Sequence, residues 1–272
     1  MMKASLISAT LALTLTLALA LMAHAADADP VRIPYDPEYP PMSKQTETGP
    51  EGFDIVVAQE IAKALAAEYE FVPSDFDKIQ GADWPSDWAF TVSSTSYSED
   101  REERFHFIGP YYMAAVVLVR SATETAPEPE DDPFDLPDGT RVGVCNGCIY
   151  KDYIDGNYLQ NGEEGAKPLG NVAVVPFAFE TDILRALVSD GEESVDYAIT
   201  SAAFAQHFRN IGFPLEQVGP PLFVEPLWIT QPIRASEAEV EALDAAFRKV
   251  AADGLIIEAS KMFLGGDFSV AP

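Results

Sequence analysis

The sequence predicts an α/β fold in two lobes, and three observations carry that expectation. Short apolar runs of strand length alternate with segments whose apolar residues recur every three or four positions. The alternation occurs in two blocks, and an acidic, proline-rich stretch over residues 123–135 separates them like a surface connection. Chains built this way cover a largely parallel sheet with helices and take ligands at the carboxyl ends of the strands.

Residues 31–35 read as a strand that runs into an extended loop, because the prolines of Asp36-Pro37-Glu38-Tyr39-Pro40-Pro41 stop any regular element. After Gly52-Phe53, Asp54 can cap a helix whose Val57, Ile61 and Leu65 fall on one face. Residues 70–73 form the next strand, and residues 89–92 another that leaves through the hydroxyl-rich loop Ser93-Ser94-Thr95-Ser96-Tyr97-Ser98. The apolar run at 114–119 has the length and composition of a buried strand. In the second block, residues 141–144 are a strand, Cys145-Asn146-Gly147-Cys148 a tight turn and residues 149–154 a helix start. A helix over 181–188 follows, with Ile183/Leu187 and Leu184/Val188 at spacing four, and then a strand over 195–199. The clearest helix opens with the capping box Ser236-Glu237-Ala238-Glu239. It carries Val240, Leu243, Phe247 and Val250 on one face and stops before Gly254.

Composition bounds the function. Lys3, an apolar run from Leu6 to Met22 and the small-x-small Ala23-His24-Ala25 are the pattern of a secretory signal cleaved after Ala25, with no cysteine at the junction to take a lipid. The formal charge is −27, and −28 once Lys3 is lost, which repels nucleic acid and anionic lipid. Any anion site must therefore be built locally from a specific arginine and backbone amides. Export puts Cys145 and Cys148, the two cysteines, in a disulfide-permissive compartment. No metal site and no cofactor are expected, since the remaining histidines, His106 and His207, are distant in sequence.

The stretch from Ser93 to Arg101, reading SSTSYSEDR, resembles the ligand loop of the polar amino-acid-binding proteins of ABC importers, of the histidine and lysine/arginine/ornithine type (periplasmic solute-binding protein family 3). The resemblance continues through Gly109-Pro110-Tyr111-Tyr112, Asp36 to Pro41, Gly52-Phe53-Asp54 and Ala252-Asp253-Gly254, in the family's order and spacing. It implies a type II periplasmic binding protein, a Venus flytrap with two hinge crossovers, near Arg120 and near residues 222–226. Lobe 1 would then comprise residues 26–120 and 223–272, and lobe 2 residues 121–222.

Carried over, the resemblance assigns Arg101 to the ligand carboxylate, a role its planar pair of donors suits. Within Glu99-Asp100-Arg101-Glu102-Glu103-Arg104 the same residue also reads as one more solvated charge. Ser94 and Ser96 match hydroxyl or backbone contacts, Tyr39 the aromatic stacked over the ligand, Phe76 a second aromatic wall, and Asp36 a rim acid or simply an Asp-Pro turn. In the second lobe the Cys148 and Ile149 amides occupy a helix start that faces the carboxylate. Val144 to Tyr150 is similar to a branch with a Cys-x-x-Cys turn, read either as a disulfide stiffening the loop or as a redox pair. At Ser201 the sequence departs from the family, whose members keep there an Asp for the ligand ammonium. Either the solute lacks that ammonium, or Asp182 or Asp36 replaces the acid, although Asp182 also reads as a helix-start residue.

The expected function is therefore an extracytoplasmic solute-binding protein, monomeric and not an enzyme. It would deliver an amino acid or other small carboxylate to the membrane subunits of an ABC transporter. Two alternatives stay open: a cyclohexadienyl-dehydratase-like enzyme on the same fold, for which Glu180, Asp182 or His207 could supply acid/base groups, and a periplasmic accessory protein of a quinoprotein dehydrogenase.

Overall fold

Val31–Tyr35 (β1) runs parallel to Tyr69–Pro73 (β5), and helix Phe53–Ala64 (α1) connects their layer. This computed structural model describes residues 30–123, 133–160, 163–164 and 169–270; the signal-peptide expectation and most of the acidic connection lie outside them. Between β1 and α1 the chain makes a three-stranded meander of Glu38–Tyr39 (β2), Ser43–Thr46 (β3) and Gly49–Glu51 (β4). Gly52, not Asp54, is the residue before the helix. Its φ is +140°, and a Cβ there would lie 2.1 Å from the Met42 carbonyl oxygen, so only glycine fits. Asp54 instead sits inside the first turn and is fully buried, which frees its carboxylate for the site described below.

After the short helix Phe76–Gln80 (α2), capped by Asp75, strand Thr91–Ser96 (β6) extends through the serines expected to be loop. Helix Glu99–Glu102 (α3) follows, capped by Ser98, and then the 17-residue strand Phe105–Ser121 (β7). The second block contributes Arg141–Cys145 (β8), Tyr150–Ile154 (α4), the hairpin Leu159–Gln160 (β9) with Glu163–Glu164 (β10), Ala173–Phe177 (β11), Glu180–Leu187 (α5), Tyr197–Ser201 (β12) and Ala202–Asn210 (α6). The 18-residue strand Leu215–Pro232 (β13) returns to the first block, which Glu237–Ala252 (α7) and Leu255–Leu264 (α8) complete. The capping box at Ser236 and Glu239 is present.

Six strands form one sheet in the order β11-β8-β12-β7-β13-β6, parallel from β11 through β12 and antiparallel beyond. Two large cores pack against it, beside a small third cluster of Ile79, Trp84, Trp88 and Phe105. One holds Phe53, Ile61, Phe90, Tyr111, Leu227 and Phe247; the other holds Val116, Val142, Ile183, Ile199, Phe204 and Phe223. The long strands serve both, and Tyr39 on β2 packs against each. On β7 the change of core falls between Ala114 and Val116, and on β13 between Phe223 and Leu227. Sequence reading expects the first crossover near Arg120; Val116 to Val119 pack in the second core. The register of β13 against β7 shifts at both Val218/Phe223 and Leu227/Ile229. These irregularities interrupt the ladder where a continuous one would stiffen it.

Candidate functional site

The strand ends and loops of both lobes meet at a narrow cleft, lined from the first lobe by Asp36, Tyr39, Phe76, Ser94, Ser96, Ala114, Glu225 and Leu227. The second lobe adds Cys145, Cys148, Ile149, Tyr150, Ala178, Glu180 and Ser201. β6 and β12 end here, as a sheet that places ligands at strand ends requires. Ser94 takes a left-handed φ of +48°, uncommon for a side-chain-bearing residue. Two bonds hold it there: its amide donates to the Tyr111 hydroxyl at 3.0 Å, and its own hydroxyl donates to Asp54 Oδ2 at 2.9 Å. Tyr111 donates to the other Asp54 oxygen at 2.7 Å. Asp54 is thus a supporting residue beneath the loop, and burial pushes its carboxyl up to about 7 against those donors.

The cleft is acidic. Asp36, Glu180 and Glu225 line it, and each is buried to within 7% of its free surface. Burial pushes Asp36 and Glu225 up to about 7 and Glu180 to about 8. Hydrogen bonds resist those shifts: the Glu38 amide to Asp36 at 2.8 Å, the Thr200 hydroxyl to Glu180, and the Ser96 and Tyr158 hydroxyls to Glu225. Three carboxyls balanced between neutral and ionised in one desolvated space favour a guest that brings positive charge.

Arg101 is buried on α3, and its guanidinium spans the lobes. One terminal nitrogen donates to the Ser96 carbonyl at 2.6 Å and the other to the Gly147 carbonyl in the turn of the second lobe. Burial pulls it down to about 10, opposed chiefly by Glu225, so it stays charged at neutral pH. It does not line the acid cleft itself. It lines the adjoining opening, with Gly147, Cys148, Ile149 and Tyr158, two of which face both spaces. Of its five N–H donors, two are committed to carbonyls, and three remain for a carboxylate at the junction.

Two more bonds tie the lobes across the cleft. Tyr39 donates to Ser201 Oγ at 2.8 Å and stacks on Phe204 at 5.4 Å, so one ring face is spent on the second lobe rather than on a guest. The Thr181 hydroxyl donates to Glu38. Cys145 and Cys148 are joined in a disulfide with Cα atoms 5.5 Å apart. With Glu180 they make the one group of three potential metal ligands found among the described residues, but disulfide sulfurs have no thiolate to offer a metal.

Most of the residues expected from sequence line this space: Asp36, Tyr39, Phe76, Ser94, Ser96, Cys148, Ile149 and Ser201. Asp182 does not, which corrects its candidacy as the substitute acid. It faces outward, pairs with Arg185 and keeps 41% of its side chain exposed. Two positions earlier, Glu180 lines the cleft and accepts from Thr200, the neighbour of Ser201, the position at which the resemblance implies an acid. Glu225 and Tyr150 were also not expected as lining residues; Glu225 lies in β13, whose proline-broken sequence hid the strand.

Residues 31–266 match the family model of bacterial extracellular solute-binding proteins, family 3. The histidine-binding periplasmic protein of Escherichia coli (strain K12) is 26% identical over 269 residues, 96% of each chain. The L-cystine-binding protein TcyJ of the same organism is 27% identical over 121 residues, and the match spans only 44% of that relative's length and 44% of this chain. Among solved structures, an ancestral arginine-binding protein bound to arginine superposes with a TM-score of 0.72 at 25% identity, covering 88% of this chain and 99% of that one. With the two cores, the shared sheet and a family match over nearly the whole described chain, this protein belongs to the bacterial extracellular solute-binding proteins, family 3.

Proposed function

We propose that the protein captures an amino acid bearing an extra positive charge, closes its two lobes around it and presents it to the membrane subunits of an ABC importer. The observation that carries this reading is the convergence of Asp36, Glu180 and Glu225 on one cleft, with Arg101 at its edge. The guest's carboxylate would meet the free donors of Arg101 and the Cys148 and Ile149 amides, while Glu180 takes the place of the missing family acid and receives the α-ammonium. Glu225 and Asp36 would face the side-chain charge. A plain carboxylate, left open by the sequence, is disfavoured because it would enter a desolvated space already holding three acids. Relatives named for binding histidine and arginine are consistent with this choice.

We read the protein as a periplasmic monomer that binds rather than transforms its solute. No helix among the described residues is long and apolar enough to cross a membrane, which accords with release after export. The hinge would lie where β7 and β13 change core, and a solute that touches both lobes only when they are closed shifts the balance toward closure.

A thermal-shift screen of the chain from residue 26 tests the reading. Arginine, lysine, ornithine and histidine are compared with neutral amino acids, with diamines lacking a carboxylate, and with mono- and dicarboxylates. A cationic amino acid at about 100 times its Kd should stabilise by about 2.7 kcal/mol, and diamines and plain carboxylates should do little. The largest shift coming from a carboxylate without an amine overturns the proposal, and a product formed from any of these solutes would restore the enzymatic reading.

A further inference from the structure

We propose that Cys145–Cys148 is an exchangeable disulfide, opened by a dithiol at Cys148 while Glu180 protonates the departing Cys145. The proposal is independent of which solute the cleft holds. It rests on an asymmetry between the two sulfurs. Cys148 is partly exposed and lines both the cleft and the adjoining opening, so a thiolate can reach it, whereas Cys145 is 5% exposed at the inner end of β8. Beside the buried sulfur, Glu180 Oε1 lies 3.4 Å from Cys145 Sγ. The other Glu180 oxygen accepts from Thr200, so the carboxyl is held with one oxygen toward the sulfur.

The chemistry balances as a two-electron exchange. One thiolate of the dithiol attacks Cys148 Sγ, the Sγ–Sγ bond breaks, and Cys145 leaves with the electron pair and takes the Glu180 proton. The second thiolate of the dithiol then attacks its own sulfur in the mixed disulfide and releases Cys148, which is protonated from solvent, as is Glu180. The protein gains two thiols and the dithiol becomes a disulfide. A buried thiolate without a proton donor would be a poor leaving group, and Glu180, pushed up to about 8 by burial, carries its proton at neutral pH. The groups facing Glu180 are Asp36, Tyr39, Tyr150, Thr200 and Cys145. None is a cation, and Asp36 further favours the protonated form.

The exchange would act on ligand capture, because the turn it releases is the one that bridges the lobes. Gly147, between the two cysteines, has φ +74° and accepts the Arg101 bond. A Cβ there would lie 2.9 Å from Asp77 Cα, so the turn is seated closely against the first lobe.

The test is reduction of the folded protein by dithiothreitol, followed by alkylation and mass measurement, with circular dichroism reporting the fold. The disulfide should open and re-form reversibly in the native state. Its rate per dithiothreitol thiolate should be level below pH 7 and fall above about pH 8 as Glu180 ionises. Glu180→Gln should slow it by about tenfold or more and remove the fall, the signature of a lost general acid. Reduction only on unfolding, or a thiolate-corrected rate in wild type that does not fall, overturns the proposal. A second pair of variants does not depend on that carboxyl. Cys145→Ser, which leaves Cys148, should react with a small aromatic disulfide about tenfold faster than Cys148→Ser, which leaves the buried sulfur. Equal or reversed rates overturn it as well.

Discussion

Replacing Glu180 by Gln should make the protein more stable, and by an amount that depends on pH. Glu180 is buried and its carboxyl is raised from 4.5 to about 8 by desolvation. Below about pH 4.5 both folded and unfolded chains hold the proton, and the carboxyl leaves stability independent of pH. Between 4.5 and 8 the folded chain keeps a proton that the unfolded chain has released, so stability falls as pH rises. The slope approaches about 1.4 kcal/mol per pH unit, and across the roughly 3.5 unit gap the loss is of the order of 4–5 kcal/mol at pH 8 and above. Gln has nearly the same shape, does not titrate, and its carbonyl can still accept from Thr200. Urea unfolding of wild type and Glu180→Gln in ligand-free buffer at pH 4, 5, 6, 7 and 8, with the disulfide intact, should give curves that lie closest at pH 4 and separate progressively toward pH 8, the variant being the more stable. A difference that is the same at every pH, or a variant less stable at pH 8, would show that Glu180 is not held as a buried neutral acid and would refute the charge logic of the cleft.

Two further outcomes follow from the same geometry. Affinity for a cationic amino acid should rise between pH 6 and pH 8, as the guest favours the ionised forms of Asp36 and Glu225, near 7, and Glu180, near 8. Calorimetry in buffers of different ionisation enthalpy should therefore detect proton release on binding, and its absence would contradict the assignment of these acids to the guest. Tyr39→Phe keeps the ring on Phe204 but removes the bond to Ser201, weakening closure by about 1 kcal/mol. Small-angle scattering without ligand should then report a larger radius of gyration, and an unchanged curve would count against Tyr39 as a lobe-to-lobe tie.

Much of the fold was legible because its elements are short and carry their own signals. The capping box at Ser236 and the spacing of Leu243, Phe247 and Val250 announced α7, and the valine-rich runs announced the centre of β7 and β8. The two strands that join the lobes were not legible as units. Gly109-Pro110 interrupts β7, and Gly219-Pro220-Pro221 and Pro226 interrupt β13, residues that ordinarily punctuate structure. Gly109-Pro110 and Gly219-Pro220-Pro221 are tolerated where the ladder shifts register, and Pro226 pairs in register with Met113, information that exists only once two distant segments are paired. In the site, Tyr39, Ser94 and Ser96 could be found because a local motif carries them. Glu180 was legible only as an acid of the enzymatic alternative, since its place beside Thr200 depends on α5 meeting the end of β12. Asp182, two residues along, offered the same chemistry to a reader with no view of which side of the helix is buried.

On the proposed reading, Glu180 supplies from α5 the charge partner that the family resemblance expects at the end of β12. An acid at the end of β12 would point into the cleft from the strand; an acid at the start of α5 reaches the same volume from the side, and Thr200, the strand's own penultimate residue, holds it there. The cost of the exchange is burial. A carboxyl behind Ser201 and against the disulfide is drier than one at a strand tip, so its charge is held back until something nearby compensates it. Arg101 does not compensate Glu180, because it lines the adjoining opening rather than the acid cleft and Glu225 is the acid that acts on it most strongly. On the proposed reading the compensating charge arrives with the solute, and neutral and anionic guests would be disfavoured because they leave the acids either protonated or ionised and uncompensated.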